Sequence, residues 1–386
     1  MTKPTSHRQP LSSAIPPLIL GTATFNTQYV ADPSRLPYVE IVSRALDRGV
    51  TAFDTSPYYG PSETLLGAAL AAVDPAPPRD SYFLVTKAGR IAAAEFDYSP
   101  AWIRYSVGRS LERLGTPYLD LVYAHDVEFV SPAEVLAAVG ELRRLRDRGL
   151  VRYVGISGYP VSKLCSLAEL ILKETGEPLD AVLSYSHFCV QNSVLGKEDT
   201  LARLRNAGVD VVLNASMLSM GLLTTRGADR GPMATWHPAP SELQVACRRL
   251  SHIAEARGET LEGVAIRWAL QSWARLGSDS GFGTTATSRP GLESVGVSVM
   301  GVSSVAELEE TSKLWGDVLE DLAKKDAASG CGRSKGIQSI VEEMWLALGT
   351  WRDYSWQSPG PDFVNQKDSQ KSKREGVGIS MERASI

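Results

Sequence analysis

The 386-residue sequence predicts an α/β fold, a (β/α)8 TIM barrel with a C-terminal helical extension and a disordered tail. Three observations predict it. Eight short, nearly continuous apolar runs alternate with stretches of helical periodicity up to about Trp315, the pattern of strands covered on both faces. Glycine ends three of the helical stretches, and an apolar run follows at once, at Gly49-Val50, Gly149-Leu150 and Gly208-Val209. Connections this short suit a compact βα repeat. The third observation is negative. The turn after the first strand reads Leu20-Gly21-Thr22-Ala23-Thr24-Phe25, without the G-x-G-x-x-G that a doubly wound sheet would want there.

Taken in order, residues 1–17 carry Pro4, Pro10, Pro16 and Pro17 and lack the apolar stretch of a secretory signal, so they read as a flexible N-terminus. The barrel domain is set at 18–360. Its strands are expected at 18–22, 51–54, 82–87, 119–125, 151–157, 181–185, 209–214 and 297–302. Residues 277–296, rich in Gly, Ser and Thr, read as a flexible loop insertion before the eighth strand. Residues 339–354 have helical spacing with Trp345, Trp351 and Trp356 nearby, and are expected to pack across a face of the barrel. Residues 361–386, with Lys367, Lys371, Lys373 and Arg374 among Ser and Gly, read as a disordered tail.

Bulk composition narrows the function. Hydrophobic content of 43% and charged content of 22% are those of a globular protein. A net charge of −4 argues against nucleic acid or an anionic membrane as partner. No apolar run reaches the roughly 18 residues of a membrane span. Cys165, Cys189, Cys247 and Cys331 are scattered singly. They read as reduced thiols of a cytoplasmic protein, and no metal site is expected.

In such a barrel, chemistry belongs at the C-terminal ends of the strands. The second strand ends at Asp54 in Phe53-Asp54-Thr55-Ser56-Pro57-Tyr58-Tyr59-Gly60, the third at Lys87, the fourth at His125. Tyr59 is the candidate proton carrier. A free phenol titrates near pH 10, so a cationic Lys87 beside it is expected to lower its pKa, with Asp54 holding Lys87. His125 would orient a substrate oxygen. Each residue alone has a plainer reading: a loop aromatic, a solvent lysine, a core histidine. Their meeting on one predicted rim favours proton transfer beside a hydride acceptor.

On these motifs the chain resembles the aldo-keto reductases. The match runs through Asp54-Thr55-Ser56-Pro57-Tyr58-Tyr59-Gly60, Thr86-Lys87 and Leu119-Asp120-Leu121-Val122-Tyr123-Ala124-His125. Three further stretches are similar to the branch of NAD-dependent D-arabinose 1-dehydrogenases and L-galactose dehydrogenases. They are Gly21-Thr22-Ala23-Thr24-Phe25-Asn26-Thr27-Gln28-Tyr29, His125-Asp126-Val127-Glu128-Phe129 and Gly155-Ile156-Ser157-Gly158-Tyr159-Pro160.

The resemblance implies a catalytic tetrad of Asp54, Tyr59, Lys87 and His125 and a nicotinamide cofactor across the rim. Gly21, Thr22, Ala23 and Asp54 would border it, and Ser157 would hold the carboxamide. Gly158 stands where family members often have Asn, Ser184 where many have Gln, and Ala215 where many have an aromatic. Ser216, Leu218, Met220 and Gly221 would follow the pyrophosphate. Ser303, Ser304, Glu307 and Glu310 would meet the adenosine end, where the Glu307 carboxylate favours NAD over NADP. Tyr58 and Asp126 would touch an aldose substrate.

The activity so implied is oxidation of a sugar such as D-arabinose, L-galactose or L-fucose at C1 to the lactone, with Tyr59 as base. The alternatives are an NADPH-dependent aldehyde or ketone reductase, and a nucleotide-binding regulatory subunit without turnover.

Overall fold

The computed structural model describes residues 8–287, 289–324 and 332–367. Eight parallel strands close into a barrel: β1 (Leu18–Gly21), β2 (Ala52–Asp54), β3 (Phe83–Ala88), β6 (Leu119–His125), β7 (Val151–Gly158), β8 (Ala181–Tyr185), β9 (Val211–Ala215) and β10 (Val297–Gly301). The sequence places all eight to within two residues. A small hairpin, β4 (Arg90–Ala92) and β5 (Glu95–Phe96), interrupts the repeat after β3.

Outside lie α1 (Tyr38–Asp47), α2 (Ser62–Ala72), α3 (Pro100–Leu114), α4 (Pro132–Asp147), α5 (Val161–Thr175), α6 (Glu198–Asn206), α7 (Ser241–Glu255), α8 (Leu261–Asp279) and α9 (Val305–Ala323). The glycines expected to end helices do so. Gly49, Gly149 and Gly208 hold φ of 77°, 80° and 70°, a conformation that a Cβ would strain.

Side chains alternate along each strand, so each strand feeds two cores. Val182 and Val212 face the helices, while Leu183, Val211 and Leu213 face the lumen. The lumen is closed at its N-terminal end by Leu11 and Ile15, which pack against Ile19, Phe83 and Tyr153. This corrects the flexible N-terminus for residues 8–17. Both plugging side chains are fully buried, and that burial outweighs the proline-rich composition around them.

The expected loop at 277–296 is also more ordered than its composition suggests. Gly277 lies in the last turn of α8, and Thr284 exchanges backbone hydrogen bonds with Val295 at 2.8 and 2.9 Å. The Thr284 hydroxyl donates to the Ile15 carbonyl at 2.6 Å, so this segment clamps the plug.

The C-terminal extension is α10 (Gly332–Leu348), packed on α7 and α8, followed by a strap over the C-terminal rim. Gln191 and Asn192 donate to the Tyr354 carbonyl, Trp356 stacks on Tyr159 with centroids 4.5 Å apart, and Ser358 donates to Glu128 at 3.2 Å. The expected tail begins later than residue 361. Asn365 pairs with both backbone groups of Phe96 at 3.0 and 2.9 Å, and Phe363 packs on Phe129. Residues 368–386 lie outside the described residues. Among the described residues, no helix is long and apolar enough to cross a membrane.

Candidate active site

Strand alternation decides which groups meet in the lumen. Asp54 has the parity of the inward Ala52, Lys87 that of Phe83 and Val85, His125 that of Leu121 and Tyr123, and Ser157 that of Tyr153. Each occupies the last or next-to-last position of its strand, and β-pairing sets His125 opposite Ser157. The barrel therefore delivers three ionisable side chains and a hydroxyl to one rim, and the turn after β2 brings Tyr59 over them.

Lys87 Nζ donates to Asp54 Oδ1 at 2.6 Å and to the Thr55 carbonyl at 2.9 Å. Both ionic side chains are almost wholly buried. The ammonium lies over the Tyr59 ring, 4.8 Å from its centroid. The edge of that ring meets His125, with centroids 5.8 Å apart at 89°. Tyr59 itself is half-buried, open toward the rim.

Electrostatics correct one expectation. The Tyr59 phenol is not lowered but pushed well above its ordinary pKa, first by burial and then by the Asp54 and Asp126 carboxylates, with Arg90 opposing them. The Lys87 charge is already engaged by Asp54. Burial also pushes the His125 imidazole down to about 3 against the pull of Asp126, so the ring is neutral near pH 7. Ser56 Oγ lies 3.1 Å from His125 Nδ1 and accepts from the Tyr58 N–H. Its own proton is then free to donate to Nδ1, which leaves the one proton of the neutral ring on Nε2.

Around His125 stands a polar wall. Asp126 Oδ2 is 3.5 Å from His125 Nε2 and pairs with Arg90 Nη1. Burial pushes the Asp126 carboxyl up, but its cationic neighbours hold it below the ordinary range. Since His125 is neutral, Arg90 is the adjacent charge that matters. Tyr58 faces His125 with centroids 6.0 Å apart.

Three comparisons with known proteins bear on this geometry. The aldo/keto reductase family model matches residues 17–326. The chain belongs to the aldo/keto reductase family. It is 43% identical over 268 residues to a D-arabinose 1-dehydrogenase of Saccharomyces cerevisiae, covering 69% of this chain and 78% of that one. It is 36% identical over 235 residues to an L-galactose dehydrogenase of Arabidopsis thaliana, covering 60% and 69%. A solved glycerol dehydrogenase from Gluconobacter oxydans shares the fold, with a TM-score of 0.58 and 20% identity over 92% of this chain and 98% of that one. As an aldo/keto reductase, the protein is an oxidoreductase acting on CH–OH groups with a nicotinamide cofactor.

The residues present fit such a cofactor. Asp54 Oδ2 on β2 and Ser186 Oγ after β8 are buried polar atoms without a hydrogen-bond partner among the described residues. After β9, Ser216, Ser219 and Met220 all hold left-handed φ, at 57°, 48° and 53°. Non-glycine residues adopt that conformation at a cost, and such strain gathers where a ligand is held. Gly21 lies at the rim end of β1, where a Cβ would meet the Val299 side chain at 2.9 Å.

Several expected contacts fall elsewhere. Ser184 has the outward parity of Val182. Its hydroxyl is fully buried, 3.3 Å from His187 Nδ1, and Tyr185 is the rim residue partly packed on the lumen cluster instead. Gly158 also faces outward, and a Cβ there would strike Glu128 Oε2 at 2.4 Å. Burial pushes the Glu128 carboxyl up to about 8. The Thr22 hydroxyl is spent on the Asp54 carbonyl and Ser62. Leu218 and Met220 are half-buried against the core, while Ala23 is half-exposed near the rim.

At the start of α9, Ser303 and Ser304 are half-exposed, and Glu307 accepts from Ser303 N at 2.6 Å and Ser303 Oγ at 3.0 Å. Glu310 is exposed further along the helix.

Sequence reasoning missed Arg90, Gln28 and Tyr185. The one available signal for Arg90 was a second cation three residues after Lys87. Nothing in the sequence says that its guanidinium folds back onto Tyr58.

Proposed function

We propose that the protein is an NAD-linked aldose 1-dehydrogenase, oxidising a cyclic sugar such as D-arabinose, L-galactose or L-fucose to its lactone. The observation that carries the chemistry is the group at one rim: Tyr59 over the Lys87–Asp54 pair, edge-on to a neutral His125. The sugar assignment is supported by the names of the two relatives and by the polar wall of Tyr58, Asp126 and Arg90.

A bound nicotinamide supplies the hydride acceptor. Gly21, Ala23, Ser157, the loop after β9 and the start of α9 would hold it. His125 Nε2–H donates to the C1 oxygen and fixes it beside Tyr59. Tyr59 takes the proton of the anomeric hydroxyl as C1 is oxidised. Its raised pKa means that it rests protonated at neutral pH, so oxidation must draw on the small phenolate fraction. In the reverse direction the neutral phenol donates directly. Asp54 and Lys87 neutralise one another beneath the ring and hold its position.

NAD is favoured over NADP by the Glu307 carboxylate, which occupies the donors at the start of α9 that a phosphate would seek. The test is a set of initial rates with NAD and NADP across D-arabinose, L-galactose, L-fucose and D-xylose. Aldose oxidation with a higher kcat/KM for NAD is expected. Reduction of simple aldehydes with NADPH and no sugar oxidation would overturn the reading.

A further inference from the structure

Tyr58 is a hydrogen-bond donor of enforced polarity. Its oxygen accepts from Gln28 Nε2 at 3.0 Å and from Arg90 Nη2 at 3.0 Å. A phenol oxygen has two lone pairs and one proton, so with both lone pairs engaged it can only donate. The direction of this network is fixed from its far end. Asn26 Oδ1 accepts from Thr27 Oγ1 at 3.2 Å and the Gln28 N–H at 3.4 Å, which turns Asn26 Nδ2 toward Gln28 Oε1 at 2.9 Å. Gln28 is thereby oriented with its amide nitrogen toward Tyr58. Among the described residues, the Tyr58 proton has no acceptor.

The same guanidinium sets the opposite polarity at Asp126. Arg90 binds that carboxylate through Nη1, and an ionised carboxylate only accepts. Arg90 is held against sliding. Its Cζ lies 3.8 Å from the centroid of the Tyr58 ring, 5.3 Å from that of Phe96 and 5.5 Å from that of Phe129. Only 15% of its side chain is exposed. Its planar fork holds two partners in one fixed geometry, which the compact, freely rotating ammonium of a lysine does not impose.

We propose that Arg90 is a positioning residue that locks Tyr58 as donor and Asp126 as acceptor beside His125, and that this pair selects substrates with a hydroxyl next to the reacting carbon. Tyr58 donates to one substrate oxygen, and Asp126 accepts the proton of a neighbouring hydroxyl. The proposal deepens the aldose reading and rests on it, but its consequence extends to any α-hydroxy carbonyl compound. A simple aldehyde offers no hydroxyl oxygen to the Tyr58 proton and no hydroxyl proton to Asp126, so it forgoes both contacts.

The test compares reduction of D-glyceraldehyde with that of propanal, in wild type, Tyr58→Phe and Arg90→Lys, with aldose oxidation as a separate arm. Wild type is expected to favour glyceraldehyde in kcat/KM, and both variants to reduce that ratio about tenfold, mainly through KM for glyceraldehyde. A merely structural role would lower both substrates alike and leave the ratio unchanged; that result, or a wild-type ratio near one, overturns the proposal. Failure of wild type to oxidise any aldose while the ratio still collapses in the variants would overturn the aldose reading and keep the hydroxyl-reading pair.

Discussion

At its N-terminal end the barrel lumen is filled by Leu11, Ile15, Phe83 and Tyr153; at its C-terminal end the inward positions are Asp54, Lys87, His125 and Ser157. The two ends share strands. Phe83 and Lys87 are two inward steps apart on β3, and Tyr153 and Ser157 two steps apart on β7. One end contributes apolar burial, about 25 cal/mol for each Å² removed from water. The other buries an ion pair, whose desolvation largely cancels its attraction. The lower lumen therefore holds the structure up, and the upper lumen spends stability on chemistry. Substitutions at the two ends should separate into losses of rate and losses of stability.

The sharpest separation is expected at Tyr59. Tyr59→Phe removes one hydroxyl from a half-buried ring and leaves the packing in place. A proton carrier contributes roughly 10²–10⁴-fold, so kcat should fall by about that factor while the melting temperature and cofactor affinity hold. Retention of more than about a tenth of wild-type turnover would end its assignment. In wild type, the pH profile gives a second check. Because the phenol is pushed up, the base form grows with pH, so kcat for oxidation should climb on the alkaline side while reduction runs at neutrality. An oxidation rate flat from pH 7 to 10 would contradict this.

Lys87→Met tests whether the upper lumen is as costly as its charges imply. It strands Asp54, whose carboxyl burial already pushes up, without its cation. Breaking one partner of a buried pair costs about 3–5 kcal/mol. The double variant Asp54→Asn/Lys87→Met should regain most of that stability in denaturant titrations and none of the turnover. Recovery of activity in the double variant would show that the pair is only structural.

The lower lumen should behave in the opposite way. Ile15→Ala opens a cavity in the plug, and such truncations cost about 2–5 kcal/mol. Thermal unfolding should shift downward, with kcat per folded molecule unchanged. A large loss of kcat at full folding would mean that the plug is coupled to the rim, and the division between the two ends would fail.

This division also explains what the sequence could say. The eight strands were legible because burial on both faces leaves nearly unbroken apolar runs. Asp54, Lys87 and His125 were legible because they end those runs. The plug was missed because two apolar residues four apart, Leu11 and Ile15, make no pattern among prolines and serines. Ser184 and Gly158 were misassigned by one step of the alternation: both belong to the rim in sequence yet face outward, and a shift of one residue reverses a side chain's face. Arg90 escaped because its partners, Tyr58 and Asp126, lie 32 and 36 residues away along the chain.

The smallest expected effect lies outside the lumen, at Glu307. Ser304 caps α9 by accepting from Glu307 N at 3.2 Å, and the Glu307 carboxylate reaches back to Ser303 N. A capping role alone would account for that geometry, so the cofactor role must be tested apart from it. Glu307→Gln keeps an acceptor for the Ser303 N–H and removes the charge. If the carboxylate repels a 2′-phosphate, the preference for NAD should narrow in Glu307→Gln by about fivefold, the equivalent of roughly 1 kcal/mol at a solvent-exposed position. Glu307→Arg should move it further toward NADP, because the guanidinium pairs with phosphate. Both variants should keep the kcat of wild type for the better cofactor, since neither touches the rim. A ratio of kcat/KM for NAD over NADP unchanged in both would leave Glu307 as a helix cap and move the source of cofactor preference elsewhere on the adenosine side.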